Sequence, residues 1–138
     1  MNKRKAFTLV EMMAVVVIIG ILAAVIAPRI FGQVGKAEQV TAKQDVEIIV
    51  NAVTMFRLDT QKFPQDLRDL VNEPDEVKNW RGPYLRKKGL KDPWDNDYQY
   101  RAPGNDGRDF DVWSMGKDGQ EGGEGMNLDI ISWDDDDV

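Results

Sequence analysis

No cysteine and no histidine occur among the 138 residues. The first absence excludes disulfide staples, thiol nucleophiles and thiolate metal sites. The second excludes imidazole acid–base chemistry and imidazole zinc sites. Serine is nearly missing too: Ser114 and Ser132 are the only two. Without histidine neither can join a Ser-His-Asp triad. Nothing marks a carboxyl pair with one raised-pKa acid, so glycoside hydrolysis has no candidate either, and the chain reads as a non-enzyme. Basic stripes are also lacking on the soluble part, which argues against nucleic acid as a partner.

A further gap is informative. No Lys or Arg stands between Lys5 and Arg29, and this stretch is apolar apart from Thr8 and Glu11. Its length suits a membrane-spanning helix. An ionised carboxylate near the bilayer interior costs about 2.5–3.5 kcal/mol on insertion scales, so Glu11 needs a partner. The segment holds no cation, so the partner must be another chain, a lipid head group or a free amino terminus made by cleavage nearby. The basic head Lys3, Arg4 and Lys5 followed by an apolar run, with Ala23, Ala24 and Ala27 as small residues, also suits a secretory signal peptide. Glu11 inside the run argues against that reading, as does a helical pattern that continues beyond it.

Past Pro28 the pattern turns amphipathic. Ile30, Val34, Ala37 and Val40 recur at helical spacing, and Val46, Ile49, Val50, Val53 and Phe56 continue it. One helix is expected from about Phe7 to about Asp59, with Pro28, Gly32 and Gly35 as places for bending. A short helix is expected over residues 63–71, with Pro64 in its first turn and Phe63, Leu67, Leu70 and Val71 on one face. Tyr98-Gln99-Tyr100 and the run from Phe110 to Met115 read as a hairpin about the turn at 103–107. Trp80, Trp94, Trp113 and Trp133 are expected in the core. Asp92, Asp95 and Asp97 are expected to cap turns.

The net charge of −6 is unevenly spread: residues 104–138 hold eleven acids against two bases. Part of that acid lies in a glycine-rich loop carrying Asp118, Glu121 and Glu124, and part in the four-aspartate end at 134–137. By pattern alone an acidic solvated loop is the simpler reading, since the loop lacks EF-hand spacing.

Lys3-Arg4-Lys5-Ala6-Phe7-Thr8-Leu9-Val10-Glu11, followed by an apolar helix, resembles the start of type IV pilin-like precursors. Lys91-Asp92-Pro93-Trp94, then Tyr98-Gln99-Tyr100 and Pro103-Gly104, resembles the major pseudopilins of the type II secretion system. So does the stretch from Ser114-Met115-Gly116-Lys117-Asp118-Gly119 through Asp129-Ile130 to Trp133. The resemblance implies an α+β, type IV pilin-like fold: a long N-terminal helix on a small antiparallel sheet, with a C-terminal calcium-binding loop. It divides the chain into a cleaved leader (1–6), a membrane and fibre-core helix (7–28), its amphipathic continuation (29–60) and a periplasmic domain (61–138). The calcium loop would span 115–133, ahead of an acidic tail at 134–138.

The implied function is a homopolymeric fibre subunit, held in the inner membrane and assembled in the periplasm, that drives export of folded proteins. An adhesive or motility pilus subunit is the alternative. The implied partners are minor pseudopilins, a prepilin peptidase, the inner-membrane assembly platform and membrane lipid. Cleavage would fall between Ala6 and Phe7, with methylation of the new Phe7 amine, and Glu11 would pair with that amine on a neighbouring subunit. Calcium would take side-chain oxygens of Asp118 and Asp129 and main-chain oxygens of Met115 and Ser132. Leu128 also belongs to the implied metal set. Two departures stand out: the leader ends in Ala6 where the family has Gly, and Leu128 stands where some relatives carry an aspartate. Glu124, Asn127, water or a backbone carbonyl would then complete the shell.

Overall fold

The computed structural model describes residues 7–133, with only the backbone described for Arg29, Ile30 and Phe31. The basic head, Ala6 and the tail at 134–138 lie outside the described residues. Helix α1 runs from Leu9 to Thr60, unbroken through Pro28. Two compact units divide within it, Met1–Gly35 and Lys36–Val138.

In the first unit every side chain from Phe7 to Ile26 is exposed. The helix there is apolar and long enough to cross a membrane. Such a segment must satisfy its own backbone groups, which an α-helix does.

In the second unit α1 supplies the spine of the core. Ala42, Val46, Ile49, Ala52, Val53 and Phe56 are buried, and Leu67, Leu70, Leu85, Tyr98 and Val112 pack with them. The expected face is corrected at its start: Val34 and Val40 are largely exposed, and so is Ala37. Counting in helical steps from Val46 and Ile49 reaches Ala42, not Val40.

Strands β1 (Gln99–Arg101), β2 (Asp111–Ser114) and β3 (Ile130–Ile131) form one antiparallel sheet in the order β1-β2-β3. Gln99 faces Trp113, Arg101 faces Asp111, and Trp113 faces Ile131. The expected hairpin is present, with its first strand shifted by one residue and its second trimmed at both ends, and the two-residue β3 was not anticipated. The short helix is also corrected. It is a 3₁₀ turn over Leu67–Leu70, capped by Asp66, whose carboxylate accepts the Arg68 N–H while Asp69 reaches back to the cap. Pro64 therefore precedes the helix.

None of the tryptophans is among the fully buried core residues. Trp80 packs against the core edge and gives its indole N–H to the Asp69 carbonyl (3.0 Å). Trp94 donates to Glu38 (2.9 Å). Trp113 and Trp133 meet edge to face. An indole N–H needs an acceptor, which draws these rings to the boundary rather than the centre.

Candidate assembly site and candidate metal loop

Three features gather the residues of interest. The first is the start of α1. Thr8 stands at the N-cap: its Oγ1 accepts the Glu11 N–H (3.2 Å). Glu11 Oε2 in turn accepts the Thr8 N–H (2.8 Å) and hydroxyl (3.0 Å). This is a reciprocal capping box, which satisfies amide donors that a helix start otherwise leaves open. Glu11 Oε1 makes no hydrogen bond among the described residues, so one carboxylate oxygen holds the helix end and the other is open to a cation. Sequence reasoning took Glu11 as a membrane charge awaiting a partner from another subunit, not as a helix cap. The Thr-x-x-Glu spacing was the signal that would have revealed the cap.

The second feature is the row of bonds joining the globular layer to α1. Glu38, Asp45 and Asp59 accept hydrogen bonds from Trp94, Tyr98 and Tyr84. Burial, and then the Asp45 carboxylate, push the Tyr98 hydroxyl well above its usual pKa, so it stays a donor. On another side of the helix Arg57 pairs with Asp109.

The third is the loop between β2 and β3. Its neck is closed by Ser132, whose N–H donates to the Val112 carbonyl (2.9 Å) and whose Oγ accepts the Val112 N–H (3.0 Å). That leaves the Ser132 main-chain oxygen as the group to offer a metal. Gly116 adopts φ +68°, and a Cβ there would lie 2.6 Å from the Asn127 carbonyl oxygen, so only glycine lets the two arms touch. Met115 and Asp129 thus flank the point where the arms meet. Lys117 N–H donates to the Met126 carbonyl (3.1 Å) and Gln39 of α1 donates to the Gly125 carbonyl.

At the neck Asp92, an expected turn former, accepts the Trp94 and Asn96 N–H groups on one oxygen and the Ser114 hydroxyl (2.7 Å) on the other. Asn96 then donates to the Gly116 carbonyl (3.0 Å).

The metal fit is carried by Asp129. Its Oδ2 accepts the Gly122 N–H (2.9 Å), while its Oδ1 is buried with no hydrogen-bond partner. An orphaned buried carboxylate oxygen asks for a donor or a cation. Asp118 Oδ1 accepts the Gln120 N–H (3.2 Å) in a local turn. The Leu128 side chain is exposed, which leaves only its main-chain oxygen as a donor. No cluster of three acidic side chains suited to a metal occurs among the described residues. Among the described residues the loop thus offers one orphaned carboxylate oxygen, that of Asp129, as a candidate ligand for a hard cation.

One buried charge was missed from sequence. Asp111 has no exposed surface. Arg101 Nε (2.8 Å), Arg108 Nε (2.6 Å) and the Asn105 N–H (2.9 Å) all donate to it. The Arg108 hydrogen bond, then those from Asn105 and Arg101, hold its carboxyl well below the usual range despite burial. Both guanidiniums stack on tryptophan: Arg108 lies 4.7 Å from the Trp133 centroid and Arg101 5.1 Å from that of Trp113. The clue was an acid one residue before a core valine, preceded by two arginines three and ten residues earlier.

A capped apolar helix continuing into an amphipathic spine, with a three-stranded sheet behind it, defines a pilin-like subunit. The family model described as Prokaryotic N-terminal methylation motif matches residues 1–27, and that described as Type II secretion system (T2SS), protein G, matches residues 29–133. Type II secretion system core protein G of Vibrio cholerae serotype O1 is 47% identical, over 96% of this chain and 94% of the relative. The protein of that name from Pseudomonas aeruginosa is 42% identical, over 96% and 97%. The crystal structure of the major pseudopilin from the type 2 secretion system of enterohaemorrhagic Escherichia coli is similar at a TM-score of 0.62 and 35% identity, covering 74% of this chain and 87% of that one. The chain belongs to the type II secretion system protein G family.

Proposed function

We infer that the chain is a structural subunit that polymerises into the pseudopilus of the type II secretion system and so drives export of folded proteins across the outer membrane. The observation that carries this is the pair of adjoining family matches, a methylation motif over 1–27 and protein G over 29–133. Together with the likeness to a major pseudopilin, they favour this reading over an adhesive or motility pilus. The role is mechanical, not catalytic. Its partners are other copies of the chain, minor pseudopilins, a prepilin peptidase, the inner-membrane platform and lipid.

Processing between Ala6 and Phe7 releases an amine beside Thr8, and methylation follows on Phe7. That cation on one subunit meets the open oxygen of Glu11 on another. The pairing offsets much of the cost of holding both charges in lipid. The anchor lies in the inner membrane, with Lys3, Arg4 and Lys5 in the cytoplasm by the positive-inside bias and the second unit in the periplasm. Calcium, held by Asp118, Asp129 and the main-chain oxygens of Met115, Leu128 and Ser132, ties the loop to β3. The orphaned Asp129 oxygen supports that assignment.

Mass spectrometry of membrane-extracted protein tests the reading. A chain that starts at Phe7 with a methylated amine is expected. A chain starting near Pro28 would mark ordinary signal-peptide removal and sink the fibre function.

A further inference from the structure

The sequence predicts Asp92 as a turn former, and the turn uses only one of its two oxygens. Oδ1 accepts the N–H groups of Trp94 (3.0 Å) and Asn96 (2.9 Å), the ordinary work of a turn-forming side chain. An asparagine would serve that turn equally well through its amide oxygen. Oδ2 is engaged elsewhere: it accepts the Ser114 hydroxyl at 2.7 Å. Asp92 is only 6% exposed, and Ser114 is fully buried. No cation stands within ion-pair distance of Asp92 among the described residues, and Lys91 beside it pairs with Asp97 instead. A buried carboxylate without a cation is costly, so its donors hold a charge that the turn alone does not require.

The row of bonds ends at Gly116. Ser114 Oγ accepts the Gly116 N–H (3.2 Å), and the Asn96 side chain donates to the Gly116 carbonyl (3.0 Å). Both peptide planes that flank this glycine are therefore fixed from the 92–96 turn. Glycine tolerates many orientations of those planes, so here the orientation is set by what holds them. In a trans peptide the C=O and N–H point opposite ways. Holding the Gly116 N–H on Ser114 thus turns the Met115 carbonyl away from Ser114 Oγ. That carbonyl accepts no hydrogen bond among the described residues. Gly119, farther round the loop, also lies against Asn96, where a Cβ would stand 3.1 Å from the Asn96 Oδ1.

We propose that Asp92, Ser114 and Asn96 are positioning residues for the metal loop: by holding both sides of Gly116 they orient the Met115 carbonyl toward a bound hard cation without touching that cation. The inference rests on the calcium reading of the loop and deepens it. Partners that hold a ligand in place matter to a metal site because they remove the cost of ordering that ligand on binding. The second oxygen of Asp92 then has a use that the turn does not give it. If the same bonds only closed the neck of the loop, their loss would lower stability and leave the affinity for the cation unchanged.

The test separates those two roles. Calcium is titrated by calorimetry into the full-length protein in detergent. Asp129→Asn, titrated in parallel, sets the baseline for weak binding by other acids. Asp92→Asn keeps an acceptor for the turn but presents an N–H donor to Ser114 Oγ, where it competes with the Gly116 N–H. Ser114→Ala removes the link outright. Each should weaken the Kd for calcium about tenfold or more. Melting in chelator reads what the same bonds contribute without a cation. A lower melting temperature in chelator with an unchanged Kd overturns the proposal.

Should either buried variant fail to fold, Asn96→Ala decides by the same titration. Asn96 is half-buried, and its side chain donates to the Gly116 carbonyl alone among the described residues. Its loss should weaken the Kd about tenfold, and a wild-type Kd in this variant overturns the proposal. Wild-type protein that binds no more calcium than Asp129→Asn removes the metal reading itself. Binding by the wild type that Asp92→Asn and Ser114→Ala keep in full removes only this inference.

Discussion

The two stretches of α1 solve the same problem in opposite ways. From Phe7 to Ile26 every side chain of the helix is exposed, with none of the described residues packed over it. After Lys36 the same helix buries one face completely and is fastened along two flanks by tyrosine, tryptophan and aspartate. Continuity of the backbone therefore says little about what a helix needs. The first stretch draws its stability from surroundings outside the chain. The second carries its partners with it.

The sharpest way to break the contrast is at the first stretch. Glu11→Leu removes a costly charge, so membrane insertion should be at least as efficient as in the wild type. Fibres should fall about a hundredfold or more, because a neighbouring amine loses its partner, a loss worth about 3 kcal/mol. Electron microscopy of sheared fibres reads this, and normal fibres would dissolve the pairing argument.

The next largest effect lies in the second stretch. Asp111→Asn removes the buried charge and replaces one of its two acceptor oxygens with an N–H donor facing the guanidiniums of Arg101 and Arg108, which should cost about 3 kcal/mol, at the low end for buried pairs because both arginines are partly exposed. Melting should drop by about 10–20 °C in a domain of this size. The pH dependence has a definite sign. The folded carboxyl titrates below its unfolded value of about 3.9, so its contribution is complete above that pH and fades as pH falls through the folded value. The variant should therefore show a flatter loss of stability below about pH 4 than the wild type. Thermal melts across an acid series decide it.

Calcium gives a smaller shift. At a hundredfold excess over Kd, it should stabilise the second unit by about 2.7 kcal/mol relative to chelator. Magnesium should substitute poorly. Asp129→Asn should erase the difference. Identical melting curves of the wild type in calcium and chelator would discard the site. The smallest effect is at the flank: Tyr84→Phe loses the hydrogen bonds to Asp59 and to the Arg81 N–H. A cost of about 1 kcal/mol is expected by chemical denaturation; no change would show that the flank bonds contribute little.

What could be read from the sequence divides along the same line. The long helix was legible because its apolar and amphipathic periods run for dozens of residues, and the hairpin because turn residues separate two alternating runs. Strand β3 was not, since two residues carry no period and exist as a strand only through pairing with Trp113 and Ser114. Asp111 escaped for a similar reason: its burial depends on Arg108, delivered by a turn, and on Arg101, delivered across the sheet. The tryptophans were assigned by size alone, whereas their N–H groups and the arginine faces decide where they sit. At the loop between β2 and β3 the two candidate carboxylates were visible in the sequence. That one Asp129 oxygen would be buried without a partner was not.

The acids that receive Trp94, Tyr98 and Tyr84 stand seven and fourteen residues apart along α1. Each residue turns a helix by about 100°. One codon lost or gained between Glu38 and Asp59 would swing part of that row a quarter-turn away from its donors. Even a seven-codon insertion, which nearly restores the azimuth, would slide the acids about 10.5 Å along the axis. The stretch thus acts as a ruler with a fixed phase. Point substitutions can accumulate on it, but its length should be among the least negotiable properties of the gene.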